Sequence, residues 1–130
     1  PLRQVLEKHA PPARGFLLHA WPGPASLTSF LLDHGAHFSF PPYFLHARKE
    51  PQRLLFQSLP ADRILVETDA PDLVPPAEYN SWPLIHPETG AAMNHPANLV
   101  AAYEALAALR GVPVPELSAT VAQNWHRLFC

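Results

Sequence analysis

Apolar positions along this chain fall into short runs separated by turn-forming residues, and the period of those runs switches between helix and strand. Leu2, Val5 and Leu6 keep helical spacing up to His9, and Pro11-Pro12 closes that segment. Gly15-Phe16-Leu17-Leu18-His19 reads as a short apolar strand with a histidine at its carboxyl end. Beyond the turn residues Pro22, Gly23 and Pro24, a helix face is marked by Leu27, Phe30, Leu31 and His34, with Gly35 as its stop. Ala36 to Phe40 alternates as a strand does and ends at Pro41-Pro42, and Arg48 to Leu59 predicts a helix that accepts Pro51 in its first turn. Ile64-Leu65-Val66 is continuously apolar, as in a strand buried on both faces of a parallel sheet, and runs directly into Glu67-Thr68-Asp69-Ala70-Pro71. Asp72 to Met93, with Pro75, Pro76, Pro83 and Pro87, reads as a long irregular loop, a length usually tied to function or a lid. Pro96 then opens a helix with Leu99, Tyr103, Leu106 and Leu109 on one face, ended by Gly111. Pro115 opens a last helix whose expected buried stripe is Leu117, Val121, Trp125 and Leu128.

This order predicts a βα-repeating α/β unit with parallel strands. Ligands and chemistry gather at the carboxyl ends of such strands. His19, Glu67 and Asp69 occupy those ends and are the first candidates. Asp69 also suits an Asx turn before a proline, and spacing alone leaves the two roles open. Glu67, two residues earlier, shares a strand face with Asp69 and can orient a ligand there, or else pair with Arg63 or a helix. His46 follows a strand on the same side and is a candidate phosphate contact. His9, His34, His37 and His126 are accounted for by helix ends, strand faces and surface. Tyr79, Trp82 and His86 carry rings able to stack on nucleobases. Packing of their loop onto the rim is the simpler expectation.

Composition narrows the class. The chain of 130 residues, 48% hydrophobic and 15% charged, is globular in character and is one domain or part of one. A formal net charge of −2 leaves no broad basic footprint for wrapping nucleic acid, so a polyanionic substrate would need a metal or a few local cations. No apolar run approaches the roughly 18 residues that span a membrane, and no signal-peptide pattern stands at the start. The single Cys130 excludes an internal disulfide framework and a cysteine-rich zinc site, in keeping with a reducing, cytoplasmic compartment. The chain starts at Pro1 within a helical pattern, which reads as part of a longer polypeptide.

Three stretches in order resemble the TatD family of metal-dependent deoxyribonucleases. They are His19-Ala20-Trp21-Pro22-Gly23, Glu67-Thr68-Asp69-Ala70-Pro71, and Asn94-x-Pro96 followed by Asn124-x-x-Arg127-Leu128-Phe129. The resemblance covers nearly the whole chain and implies a TIM-type (β/α)8 barrel of the metal-dependent hydrolase kind. Residues 1–130 would be its carboxyl-terminal half, the last three βα units, since a barrel takes about 250 residues. It implies that His19 and Asp69 are metal ligands, with Asp69 also the general base, for one or two divalent ions such as Mg, Zn or Mn. DNA or another phosphodiester is the implied substrate. The family's other ligands would lie before Pro1, so the chain alone carries an incomplete metal site and needs the missing amino-terminal half or another chain. Trp21-Pro22 stands where the family usually has Phe-Ser. Two other expectations remain beside this one: a metal-dependent hydrolase of another ester or amide, and a non-catalytic half-barrel assembly unit.

Overall fold

The computed structural model describes residues 2–130, and Pro1 lies outside the described residues. Three short parallel strands form its main sheet: Phe16–Leu18 (β1), Ala36–Phe40 (β2) and Ile64–Val66 (β3), in the order β1-β2-β3. The helix Leu2–Lys8 (α1) precedes β1, Thr28–Asp33 (α2) links β1 to β2, and Glu50–Ser58 (α3) links β2 to β3. Leu99–Arg110 (α4) and Val114–Phe129 (α5) complete the helical layer. The expected alternation of strand and helix is therefore present, with boundaries displaced by a residue or two.

The register shows which side chains face which way. Phe38 pairs with Leu18 and Ile64, and Ser39 pairs with Leu65. Side chains alternate across a strand, so Phe38, Phe40 and Ile64 share one face while Leu17, His37, Ser39 and Leu65 share the other. The first face packs under the helices: Phe40 meets Phe44 and Phe56 edge-on at 5.7 and 5.1 Å between ring centroids. Leu31, Leu106, Leu117 and Val121 complete that core. Asn124 ties α5 to the sheet, its amide donating to the carbonyls of Ala61 and Ile64 at 2.8 and 2.9 Å. Arg110 does the same for the end of α3, donating to the carbonyls of Phe56 and Leu59.

Three sequence expectations change. The segment 72–93 is not wholly irregular: Pro83–Ile85 (β4) and Ala92–Asn94 (β5) pair as an antiparallel hairpin. Every residue of β4 is exposed, so no apolar alternation announced it, and Pro83 sits at its first position, where a missing N–H is tolerated. Trp125 does not join the buried stripe of α5. It is 53% exposed and lies 5.7 Å from Phe129, which is 52% exposed. Both border a cleft of about 500 Å³ beside β3, lined on the sheet side by Leu17, Ser39 and Leu65. On α1, Leu2 and Val5 are exposed, and only Leu6 packs against the core.

Two backbone and burial constraints carry measurable consequences. Gly15 enters β1 at φ +89°, and a Cβ there would stand 2.2 Å from the Gly35 carbonyl oxygen. Gly15→Ala is expected to cost about 1–3 kcal/mol in backbone strain alone, with the clash adding to it, read as a lowered urea midpoint. His37 is fully buried, and neither ring nitrogen has a partner among the described residues. Burial, helped by the Arg63 guanidinium, holds its pKa below the ordinary value. The unfolded chain thus binds the proton more readily than the fold does. The His37 contribution should be fully retained above about pH 6.5, the ordinary histidine pKa, and become destabilising as pH falls below it. His37→Phe should flatten that part of the stability profile between about pH 5 and 7.

Candidate metal centre

β1 and β3 are not neighbours in the sheet, yet the residues at their carboxyl ends touch. His19 follows Leu18 at the end of β1, and carrying the register one step further sets Ser39 of β2 beside it. The ladder also continues past β3, where the Glu67 N–H donates to the Phe40 carbonyl at 3.2 Å. Side chains from the two outer strands therefore meet over the middle one. His19 Nδ1 lies 2.6 Å from Glu67 Oε2, and His19 Nε2 lies 2.9 Å from Asp69 Oδ1. Ser39 is small enough to leave room for this bridge. Its hydroxyl oxygen accepts the Ala20 N–H at 3.2 Å, while Glu67 Oε1 accepts the same N–H at 3.1 Å.

The turn geometry fits these roles. Ala20 has φ 41° and Asp69 has φ 58°, so each strand end turns sharply through the left-handed region, which aspartate tolerates better than most residues. Thr68 Oγ1 accepts the Ala70 N–H, which leaves the Asp69 carboxylate free to turn inward. An Asx turn by Asp69 is not the arrangement observed. Glu67 does not pair with Arg63, whose nearest acidic partner is Asp62 at 3.8 Å. Trp21 lies folded over the turn, where a Cβ on Gly23 would come within 2.1 Å of its ring.

The electrostatics mark a place for positive charge. The Asp69 side chain is 5% exposed and its Oδ2 has no partner. Burial pushes its carboxyl above the ordinary range, His19 opposes this, and Asp72 adds to it. The Glu67 carboxyl is also raised, first by burial and then by the Asp69 charge, against hydrogen bonds from Ser39 and His19. Two buried carboxylates a few ångströms apart are stabilised by a cation between them. Among the described residues, His19, Glu67 and Asp69 form the one cluster with metal-ligand spacing, their donor atoms lying within 4.8 Å of one another. If Nδ1–H is donated to Glu67, a neutral His19 ring would offer its Nε2 lone pair to an ion held on the Asp69 side. This is the carboxylate–histidine pattern that orients a metal ligand. The donor set therefore fits a divalent ion.

The other sequence candidates lie elsewhere. His46 donates through Nε2 to the Val74 carbonyl at 3.0 Å and so tethers the segment after the Asp69 turn. His34 bonds back to the Phe30 carbonyl at the end of α2. Sequence reasoning missed Ser39 and Asn98, and it had Asn94 only as part of the Asn94-x-Pro96 motif without a bonding role; the Asn94 and Asn98 amides are both fully buried. Asn94 Nδ2 donates to the Thr68 carbonyl at 2.6 Å, one residue before Asp69. The Asn94/Asn98 spacing of four residues around Pro96 was the available signal.

Comparison with known proteins accords with this geometry. The family described as TatD related DNase matches residues 2–130. The chain belongs to the TatD family. A metal-dependent hydrolase of Escherichia coli K12, YcfH, is 34% identical over 115 residues, covering 88% of this chain and 39% of YcfH. The 3'-5' ssDNA/RNA exonuclease TatD of Erwinia tasmaniensis is 30% identical, covering 96% of this chain and 46% of its own length. Among solved structures, the TatD homologue YjjV of E. coli superposes with a TM-score of 0.79 at 23% identity, over 98% of this chain and 45% of YjjV. The chain thus has the α/β fold of that part of a TatD protein, and it spans less than half the length of these relatives.

Removing the charge that orients His19 tests the cluster directly. Glu67→Gln is expected to weaken binding of added Zn²⁺ or Mn²⁺ by about 10–100-fold in a calorimetric titration. An unchanged affinity would take Glu67 out of the site.

Proposed function

We propose that the protein carrying this chain is a TatD-type metal-dependent phosphodiesterase acting on DNA, and that His19 and Asp69 are two of its metal ligands. The observation that carries this reading is the pair His19 Nε2 and Asp69 Oδ1, 2.9 Å apart at the carboxyl end of parallel strands, with Asp69 Oδ2 buried and unpartnered beside them. One or two divalent ions bound there would supply a Lewis acid for the phosphoryl oxygens and a water of lowered pKa. His19 offers Nε2 as ligand while Nδ1–H stays on Glu67, which holds the ring's tautomer and orientation. Asp69 Oδ1 faces His19 Nε2 on the ligand side, and the Asp69 carboxylate is the group proposed to take the proton of the attacking water. The left-handed turns at Ala20 and Asp69 hold both groups on short connections, so little reorganisation is needed.

The remaining ligands are proposed to come from the rest of the barrel. Among the described residues, β1 and β3 each pair with β2 alone, and the cleft beside β3 exposes Trp125 and Phe129. Open sheet edges and a half-covered aromatic pair favour further strands closing a TIM-type barrel there. Among the described residues no helix is long and apolar enough to cross a membrane. The exposed free thiol of Cys130 suits a reducing cytoplasm.

The test uses the full-length protein, stripped of metal and reloaded with Mg²⁺, Mn²⁺ or Zn²⁺, on single-stranded DNA and on a panel of carboxylic esters and amides. Asp69→Asn should lower metal-stimulated nucleotide release by about 10²–10⁴-fold. Undiminished release would sink the assignment of Asp69. Turnover confined to carboxylic esters or amides would move the substrate class.

A further inference from the structure

Every residue of β4 is exposed, yet the hairpin β4–β5 is anchored to the metal-centre turn. Trp82, Leu84 and Ile85 are 54%, 36% and 57% exposed, and Tyr79 just before them is 38% exposed. Of the three loop rings, Trp82 is more than half exposed, whereas Tyr79 lines a cleft with Phe40, Leu45 and Leu109 and His86 is partly buried. Exposed apolar side chains at a loop tip are common singly, and Leu84 and Ile85, adjacent on β4, point to opposite faces of the hairpin.

What distinguishes Trp82 is how it is held. Asn98 Oδ1 accepts the Trp82 N–H at 3.1 Å, and Asn98 Nδ2 donates to Asn94 Oδ1 at 3.0 Å and to Asn80 Oδ1 at 2.9 Å. Asn94 in turn donates to the Thr68 carbonyl at 2.6 Å, and its own N–H donates to the Pro71 carbonyl at 2.8 Å. Two buried amides thus connect the backbone of Trp82 to both sides of Asp69. A second link runs through the ring, which lies 6.0 Å from the His95 ring at an interplanar angle of 27°. His95 is the neighbour of Asn94, and its Nδ1 accepts the Ala97 N–H. Trp82 is therefore backed on one side by His95, more than half exposed as a residue, and joined through its backbone N–H by hydrogen bonds to the turn that carries Asp69.

We infer that Trp82 forms a stacking platform for an unpaired nucleobase of the strand whose phosphodiester lies at the His19–Asp69 centre. This rests on the phosphodiesterase reading above and adds a subsite to it. An aromatic face binds any base through its π-surface, so the platform favours single-stranded ends and is tolerant of sequence. The Asn94–Asn98 relay keeps the platform at a constant offset from Asp69. It thereby converts stacking into placement of the phosphate.

The experiment compares wild type, Trp82→Ala and Trp82→Phe in the full-length protein on two phosphodiesters, a short single-stranded oligonucleotide and bis(p-nitrophenyl) phosphate, which has no base. Binding of the labelled oligonucleotide, and of one abasic at its terminal positions, is measured by anisotropy on metal-free protein. Trp82→Ala should raise KM for the oligonucleotide about tenfold with kcat nearly kept, leave bis(p-nitrophenyl) phosphate kinetics unchanged, and weaken oligonucleotide binding as much as the abasic substitution does. Trp82→Phe should retain most of the affinity. Unchanged oligonucleotide affinity in Trp82→Ala, or an equal loss on both substrates, overturns the platform. If wild type cleaves neither phosphodiester while metal-free binding still depends on Trp82 and on the base, the hydrolase reading fails and the platform stands.

Discussion

The functional end of this molecule depends on one contact, made over the top of a strand that lies between the two partners. Adjacent strands lie about 4.8 Å apart, so β1 and β3 are roughly two such spacings from each other. The 2.6 Å approach of His19 to Glu67 is possible because both side chains lean inward and Ser39 between them is small. Ser39 also takes part in the contact: its hydroxyl accepts the Ala20 N–H, which helps hold the turn after β1. The same parallel register that packs Phe38 and Phe40 into the helical layer puts Ser39 on the opposite face. Core packing and site assembly are therefore one constraint, expressed on the two faces of β2.

A second constraint is the treatment of buried polar groups. Asn94, Asn98 and Asn124 are essentially unexposed, and each satisfies backbone groups that no regular element supplies. Asn124 caps the entry to β3 through the carbonyls of Ala61 and Ile64, while Asn94 and Asn98 brace the exit from β3 and the hairpin. A buried amide left without partners is costly, so these residues specify geometry more than they add net stability. Asp69 Oδ2 and the His37 ring are the contrasting cases, buried polar atoms without partners among the described residues. The first sits where a cation fits. The second faces the sheet's other end and carries an acid-sensitive liability.

Much of this was legible before the tertiary structure. The sequence pattern located all three parallel strands, because Phe16–Leu18 and Ile64–Val66 are apolar runs and Ala36–Phe40 alternates, with glycine, proline or charge at their boundaries. The hairpin escaped because β4 has no buried face, and a strand without a buried face leaves no periodic trace. Trp125 was misread for a related reason: its place in the α5 stripe is real, but that end of the stripe meets a cleft instead of a core. The Asn94 and Asn124 motifs were visible as letters, but which carbonyls they would serve was not.

What the sequence by itself determined is the local chemistry: that the three parallel strands form, that β1 and β3 run into side chains able to ligate a metal, and membership of the TatD family through motifs spread along the chain. Only the tertiary structure decided that His19, Glu67 and Asp69 come together, since the pairs lie about fifty residues apart and meet through the order β1-β2-β3. It also decided that Asp69 turns inward instead of closing an Asx turn, that His46 holds the loop at Val74, and that Trp82 stays exposed. The physical reason is that periodicity records which face of an element is buried, whereas contacts between elements depend on register and strand order. Those are set by the packing of the whole sheet.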